Sequence, residues 1–202
     1  MKPRKPIDMD RLRPGFSNRI LESQQTFRAA LDALSHPGRV IRLTTDLVPP
    51  APLHGASAAL CLTLLDFDTA LWADLDASSQ AVEWLRFHCG CPMTRDPSRA
   101  AFALITRPEA MPLFQDFHTG EAARPELSTT LIIQATGLDS PDAPEILGPG
   151  IEVKARAGPE GLPDDFWRQW RAQTETYPLG VDVVFTAGDA LSALPRSSRP
   201  AA

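Results

Sequence analysis

Lysine is scarce in this 202-residue chain, since only three of its twenty basic residues are lysine and the others are arginine. The formal net charge is −5, and the arginines are scattered along the sequence instead of forming a basic cluster. General nucleic-acid binding needs a clustered basic footprint that neutralises phosphates. The composition therefore argues against a nucleic-acid partner.

Long apolar runs are also lacking, because no uninterrupted stretch approaches the roughly 18 residues that a membrane-spanning helix needs. Three basic residues, Lys2, Arg4 and Lys5, lie near the N-terminus, but no apolar segment of the secretory type follows them. From these two absences we expect no membrane contact and a cytoplasmic location.

Cysteine is rare and odd in number, with Cys61, Cys89 and Cys91 in apolar or helix-end contexts. This usage favours reduced thiols and argues against a disulfide framework. The sequence also lacks the GxxxxGK[ST] and GxGxxG patterns, in which glycine-rich turns hold the phosphates of nucleotides. A nucleotide-binding loop of either common type is therefore excluded.

The residues that are present suit a globular protein, because the chain is 43% hydrophobic and long enough to bury a core. Its twenty prolines lie at segment boundaries, where they mark turns. We predict a single α/β domain over residues 19–197. A polar, proline-broken arm at residues 1–18 would order only against a partner, and residues 198–202 would form a tail.

Helices are predicted from apolar spacing and capping residues. Spacing of the type i, i+3, i+4, i+7 predicts a first helix with one buried stripe, formed by Phe27, Ala30, Leu31 and Leu34. The segment Gly55–Leu65 is apolar almost all round, which is typical of a helix packed on several sides. A third helix would begin at Ser78 or Ser79, and a fourth at Asp164 and Asp165.

Strands are predicted where short apolar or alternating runs lie between turn residues. They are Val40–Leu43, Leu71–Ala73, Ala101–Thr106, Thr129–Thr136, Ile151–Ala155, Val181–Thr186 and Ala190–Leu194. The last two would form a hairpin around Gly188 and Asp189, and residues 137–150 would be a Pro/Gly-rich connection. Because helices alternate with early strands while late strands pair locally, we predict a mixed β-sheet covered by helices.

The most metal-like segment is His88-Cys89-Gly90-Cys91. Zinc usually takes four ligands from two pairs spaced C-x₂₋₄-C or H-x₃₋₅-H, and here the spacing is one residue with no second pair. His88 also falls on the apolar stripe of the predicted third helix. The segment could hold a metal weakly, but we favour a helix-end histidine that bonds a carbonyl beside packed thiols.

Two further segments have both a chemical and a structural interpretation. Asp66 and Asp68 could share a cation or a proton, but aspartates so placed commonly satisfy the amides of a turn, which we favour. Gly148-Pro149-Gly150 could present amides to an anion, but Pro149 has no amide hydrogen and a tight turn explains both glycines.

Segments in order from about residue 21 to 197 resemble the PhnH family, the H subunit of the bacterial carbon–phosphorus (C-P) lyase complex. The segments are Phe27-Arg28, Leu34–Gly38, Leu62–Thr69, Leu85–His88, Gly148–Ile151 and PLGVDVVFTAGDALSALPR at 178–196. The resemblance implies a fold similar to the large domain of pyridoxal-phosphate-dependent transferases.

Transferases of this fold hold pyridoxal phosphate through a Schiff base, which needs a partly desolvated lysine. In this chain Lys2 and Lys5 lie in the arm, and Lys154 lies on a predicted strand with one face exposed to solvent. We therefore expect no cofactor.

The resemblance also implies a function. The chain would be a subunit of the C-P lyase core complex with the G, I and J subunits, in organophosphonate catabolism. It would support formation of α-D-ribose 1-methylphosphonate 5-triphosphate from ATP and an alkylphosphonate without being catalytic itself, and it would form a homodimer when isolated. The alternative is a stand-alone small-molecule enzyme on a transferase-like scaffold, using His88 with Asp66 and Asp68.

No catalytic or metal-ligating residue is assigned, but several residues in or beside the matching segments are candidates for a binding surface. Arginine recognises phosphate and carboxylate through its forked donors. The residues proposed for an anion-binding or partner surface are Arg28, Arg39, Arg86, His88, Gly148, Gly150 and Arg196.

Overall fold

The helices and strands of the protein follow the alternation predicted from the sequence. The computed structural model describes residues 12–201. Its elements are α1 (Arg19–Ser35), β1 (Ile41–Arg42), α2 (Gly55–Leu64), β2 (Leu71–Ala73), α3 (Gln80–Cys89), β3 (Met93–Thr94), β4 (Phe102–Ile105), β5 (Thr130–Gln134), β6 (Glu145–Leu147), β7 (Ala155–Arg156), α4 (Phe166–Thr174), β8 (Asp182–Ala187), β9 (Ala190–Leu194) and β10 (Arg199–Pro200). Short 3-10 turns occur between β3 and β4 and between β4 and β5.

A seven-stranded sheet lies at the centre, in the order β1-β9-β8-β5-β4-β2-β3. The five strands from β3 to β8 run parallel, whereas β9 and β1 are antiparallel additions at one side. A separate antiparallel sheet has the order β10-β6-β7. The predicted α/β fold with a mixed sheet flanked by helices is confirmed.

Helices cover both faces of the central sheet because its strands are apolar on both sides. On β5, Ile132 belongs to the core beneath α1, α2 and α3, whereas Leu131 and Ile133 belong to the core beneath α4. The α4 core is dominated by Phe166 and Trp170, both fully buried. Such strands, buried on two faces, are typical of parallel sheets in α/β proteins.

The C-terminal hairpin is confirmed, with β8 and β9 in antiparallel register and Gly188 at a φ of +56° in its turn. The predicted strand Ile151–Ala155 is wrong, since only Ala155 and Arg156 pair with β6 and the residues before them lie outside the ladder. The predicted connection at 137–150 contains β6. The two-residue strand β3 and the strand β10 were not predicted.

Helix α1 is oriented differently from the prediction. Thr26, Ala30 and Ala33 are buried, whereas Phe27 and Leu31 stay about half exposed. The helix contacts α2 and β9. Small side chains allow this close approach, so the large apolar residues are left on the outer side of the helix. The predicted buried stripe is therefore wrong for two of its four members.

Both ends of the described segment pack onto the fold. Residues 1–11 of the predicted arm lie outside the described residues, but Leu12 and Phe16 pack partly against the core under α1 to α3. At the other end, Ser198 is fully buried and β10 pairs with β6, so the structured part extends beyond the predicted boundary at residue 197. The single-domain organisation stays a prediction. No helix within residues 12–201 is long and apolar enough to cross a membrane.

Candidate functional site

The structure does not gather the seven predicted surface residues at one place. Gly148 and Arg196 line one cavity of about 320 Å³, together with Tyr177 and Arg199. Arg86 lines a different cavity, and Arg28 lies exposed on α1. Arg39, just after α1, donates to Asp32 at 3.3 Å.

Arg196 is largely used inside the fold. Its guanidinium pairs with the carboxylate of Asp182 through Nε and Nη2, with 3.1 Å between Nε and each carboxylate oxygen. Nη1 donates to the carbonyl oxygen of Pro125 at 2.7 Å. Only 14% of the side chain is exposed. Because these donors are already bonded, little of the Arg196 fork is open to an external anion.

The Gly148–Gly150 turn serves packing. Gly150 has a φ of +80°, and a Cβ built on it would overlap the carbonyl oxygen of Ser35 at the end of α1. Gly148, at a φ of +149°, lies against the backbone of Ser197 and Ser198. The turn interpretation accounts for both glycines, because only a residue without Cβ fits these conformations and contacts.

His88 lies at the end of α3, as the structural interpretation predicted. Its Nε2 is 3.0 Å from the carbonyl oxygen of Arg13, and its ring packs at 4.8 Å from that of Trp84. The Trp84 indole donates to the same carbonyl at 2.9 Å. His88 therefore helps to hold the segment before α1 against α3.

The neighbouring thiols are packed within the protein. Burial raises the pKa of the Cys61 thiol, with a smaller contribution from Cys91. The neighbouring Cys91 thiol and burial raise the pKa of Cys89, whose Sγ donates to the carbonyl oxygen of Cys61 at 3.5 Å, whereas the Cys89 thiol lowers the pKa of Cys91. Within residues 12–201, no group of three or more His, Cys, Asp or Glu side chains is placed to hold a metal ion.

Asp66 forms a turn with the residues that follow it. Its Oδ1 accepts from the amide of Asp68 at 3.0 Å and from the amide of Thr69 at 3.1 Å. This confirms the turn interpretation. Among the described residues, no hydrogen bond or ion pair joins His88 to Asp66 or Asp68. The acid–base group of the alternative enzyme is therefore not assembled.

Lys154 is exposed, and its ammonium group lies 2.6 Å from a carboxylate oxygen of Glu145 on β6. The hydrogen bond from Lys154 holds the pKa of Glu145 below its usual value. A Schiff-base lysine needs the opposite environment, in which desolvation removes the proton from the amine. The surroundings of Lys154 therefore do not fit pyridoxal phosphate.

Two arrangements at the carboxyl ends of the parallel strands were missed. Arg95, directly after β3, lines the same cavity as Arg86. Asp74, directly after β2, accepts from the amides of Thr106 and Arg107 and from the Thr106 hydroxyl at 2.8–3.0 Å. The sequence signal that could have identified both residues is their position directly after a strand, because polar residues at the carboxyl ends of parallel strands meet at one edge of the sheet.

Comparison with known proteins finds that the family model described as "Bacterial phosphonate metabolism protein (PhnH)" matches residues 14–201. The PhnH subunit of alpha-D-ribose 1-methylphosphonate 5-triphosphate synthase from Rhizobium meliloti is 37% identical over 185 residues, which cover 91% of this chain and 92% of the relative. HtxG of Stutzerimonas stutzeri carries the provisional name of a C-P lyase subunit protein. It is 27% identical over 179 residues, which cover 87% of this chain and 84% of HtxG.

Proposed function

Because the chain belongs to the PhnH family of bacterial phosphonate metabolism proteins, we propose that it is a subunit of the C-P lyase core complex in organophosphonate catabolism. Its partners in the proposed complex are the G, I and J subunits. The complex forms α-D-ribose 1-methylphosphonate 5-triphosphate from ATP and an alkylphosphonate. The chain supports this reaction and is not catalytic itself.

The outer face of α1 is the observation that most favours a docking role. Ile20 is 85% exposed, Phe27 46% and Leu31 48%. Their spacing of seven and four residues places all three on one side of the helix. Large apolar side chains that share an exposed face are typical of interaction sites. We propose that another core subunit covers this face in the complex.

The arrangement of the chemical groups supports a non-catalytic role. Arg196 is bonded to Asp182, His88 lies against the Arg13 carbonyl, and the Oδ1 atom of Asp66 is held in its own turn. An active site needs a nucleophile or base within reach of an orienting partner. These candidate groups instead serve the fold.

Three further proposals accompany the subunit role. The isolated chain forms a homodimer, which would cover the same apolar face of α1. The fold is similar to the large domain of pyridoxal-phosphate-dependent transferases, and five parallel strands between two helical layers support this likeness. The protein acts in the cytoplasm, without a cofactor of its own.

Co-expression with the G, I and J subunits, followed by native mass measurement, tests the subunit role. We expect a heteromer that contains this chain. Leu31→Glu should remove the chain from the heteromer, because it places a charge in the apolar face. Gln25→Glu, which adds the same charge to another side of α1, is the matched control and should leave assembly intact.

The isolated chain provides the opposing test. Incubated alone with ATP and methylphosphonate, it should release no adenine and consume no phosphonate. Turnover without partners would contradict the non-catalytic role and favour the stand-alone enzyme. A wild-type chain that never joins the heteromer would contradict the subunit role itself.

A further inference from the structure

A cavity of about 250 Å³ lies between α3 and the carboxyl ends of β2 and β3. Val82 and Arg86 of α3 and Ala77 in the turn before this helix line one side of the cavity. Thr94 and Arg95 line the side of β3. Val82 and Arg86 are four residues apart and therefore share one face of α3. The pairing of Trp72 with Thr94 in the parallel ladder of β2 and β3 brings Arg95 to this edge.

The cavity adjoins the point where the connections of the parallel sheet diverge. After β2 the chain enters α3, whose Trp84 and Leu85 pack in the core on that face. After β4 it crosses to the opposite face, where Phe114 and Phe117 pack. Open α/β sheets bind ligands outside the carboxyl ends of their strands at such points. Asp74 already bridges β2 and β4, so the space that stays open lies beside β3.

The charged side chains that line the cavity are all positive. Its lining contains two guanidinium groups, Arg86 and Arg95, and no carboxylate. Within residues 12–201, neither arginine forms an ion pair. Among the nearest acidic residues in sequence, Glu83 is exposed on α3 and forms no ion pair within residues 12–201. Asp76 and Asp96 accept from the hydroxyl and amide of Ser78 and Ser98 in their own turns. The two arginines therefore have forked donors available for an external anion.

We propose that this cavity binds the phosphate or phosphonate group of a small organophosphorus compound through Arg86 and Arg95. The choice of this ligand class rests on the proposed function, whereas the cavity and its charge are read from the structure. Whole drug-sized ligands occupy sites of about 300–1,000 Å³. The smaller volume here suits one oxyanion group with a short organic remainder.

Trp72 lines the cavity and provides a reporter for binding. The ¹⁵N-labelled full-length chain would be titrated with methylphosphonate and, separately, with inorganic triphosphate, and the indole N–H signal of Trp72 followed. The indoles of Trp84 and Trp170 donate to the carbonyls of Arg13 and Ser198 and serve as internal references. We expect a saturable shift of the Trp72 signal that chloride at equal ionic strength does not reproduce.

Substitution of the arginines tests the assignment. Arg86→Gln and Arg95→Gln should each weaken the binding of the titrated anion at least about tenfold, as expected when a charged hydrogen-bond donor is lost. Arg171→Gln removes an exposed arginine from α4 and should leave binding unchanged. A wild-type shift that does not saturate, or equal weakening in all three variants, would overturn the proposal.

Failure of the anion-binding proposal can be distinguished from failure of the subunit role, because the titration uses the isolated chain. If the chain fails to join the heteromer but shows the arginine-dependent shift, only the subunit role is contradicted. If Arg86→Gln and Arg95→Gln abolish assembly while the titration shows no saturable binding, the cavity proposal is overturned and the arginines belong to a subunit contact.

Discussion

At the scale of single residues, Arg196 shows how one side chain can join distant parts of the sequence. Its guanidinium binds Asp182 at the start of β8 and the carbonyl of Pro125 in the loop before β5. Its own amide also donates to Asp182 at 2.8 Å. These bonds tie the end of β9 to the start of β8 and to the loop. Arg196 thus acts mainly as a structural residue.

Replacing Asp182 by Asn should lower the free energy of unfolding by about 2 kcal/mol. Both carboxylate oxygens of Asp182 accept hydrogen bonds from Arg196, whereas the side-chain amide of Asn has only one accepting oxygen. Urea denaturation followed by circular dichroism measures the change. The control is Asp165→Asn, whose partner Arg168 is 80% exposed. An exposed pair of this kind contributes less than about 1 kcal/mol. Equal losses in both variants would contradict the structural role of Arg196.

The ion pair between Glu145 and Lys154 predicts how the stability of the protein depends on pH. The bond from Lys154 lowers the pKa of Glu145 from 4.5, so its stabilising contribution is present above that value. It is lost as the pH falls through the lower pKa of the folded protein. Lys154→Ala should therefore raise the pKa of Glu145 and reduce this acid-linked loss of stability. A ¹³C titration of the carboxylate measures both proteins, and Lys154→Arg, which keeps the charge, should resemble the wild type.

The chemistry of several single residues was predictable because it is local. The turn at Asp66 and the helix-end position of His88 follow from bonds and helix ends within a few residues. The Arg86–Arg95 cavity was not predictable, because it depends on the parallel pairing of β2 with the two-residue strand β3. So short a strand leaves no periodic pattern in the sequence, and its conformation is set by its neighbour.

At the scale of elements, Gln134 links the central strand to the segment before α2. Its Oε1 accepts from the His54 amide at 2.7 Å and from the Ser57 hydroxyl at 2.5 Å. Its Nε2 donates to the carbonyl of Pro52 at 2.9 Å. Gln134 is buried, so these bonds satisfy polar groups that solvent cannot reach. They fix the start of α2 against β5.

Gln134→Leu should destabilise the protein by about 2–3 kcal/mol, because three bonded groups lose their partner at once. Hydrogen exchange of the amides of residues 54–58 should accelerate more than that of β8. Gln115→Leu, at an exposed position, is the control and should change the free energy of unfolding by less than about 0.5 kcal/mol. Unchanged exchange at the start of α2 would show that Gln134 does not anchor it.

Helices and strands with a strong local sequence pattern were predicted well, whereas the face that helix α1 buries was not. The hairpin has its turn residues and α2 is apolar all round, so both follow from the sequence. For α1, apolar residues occupy more than one face, and the spacing alone does not say which face is buried. The small size of Ala30 and Ala33 decides this by allowing the helix to approach β9 closely.

At the scale of the whole molecule, the last residues complete the layer around α4. The indole of the buried Trp170 donates to the carbonyl of Ser198 at 3.0 Å. Strand β10 pairs with β6, whose other neighbour is β7. The C-terminal segment therefore joins α4 to the small sheet, which makes it part of the folded body.

A chain that ends at Ser197 should lose at least about 2 kcal/mol of stability, since a buried indole N–H is left without its acceptor and β6 loses a neighbour. Thermal unfolding followed by tryptophan fluorescence measures the loss. A chain that ends at Ala201 keeps these contacts and is the control. Equal stability of the two shortened chains would instead support the predicted boundary at residue 197.

The position of β8 in the sheet has a consequence for synthesis of the protein. Thr130 of β5 pairs with Asp182 of β8, so the central strand gains this neighbour only after some fifty further residues. While the hairpin is still inside the ribosome, one edge of the apolar strand β5 has no partner, although β4 can already pair with its other edge. We expect the nascent polypeptide to engage molecular chaperones until translation is nearly finished, and messages that stop before the hairpin codons to yield insoluble products.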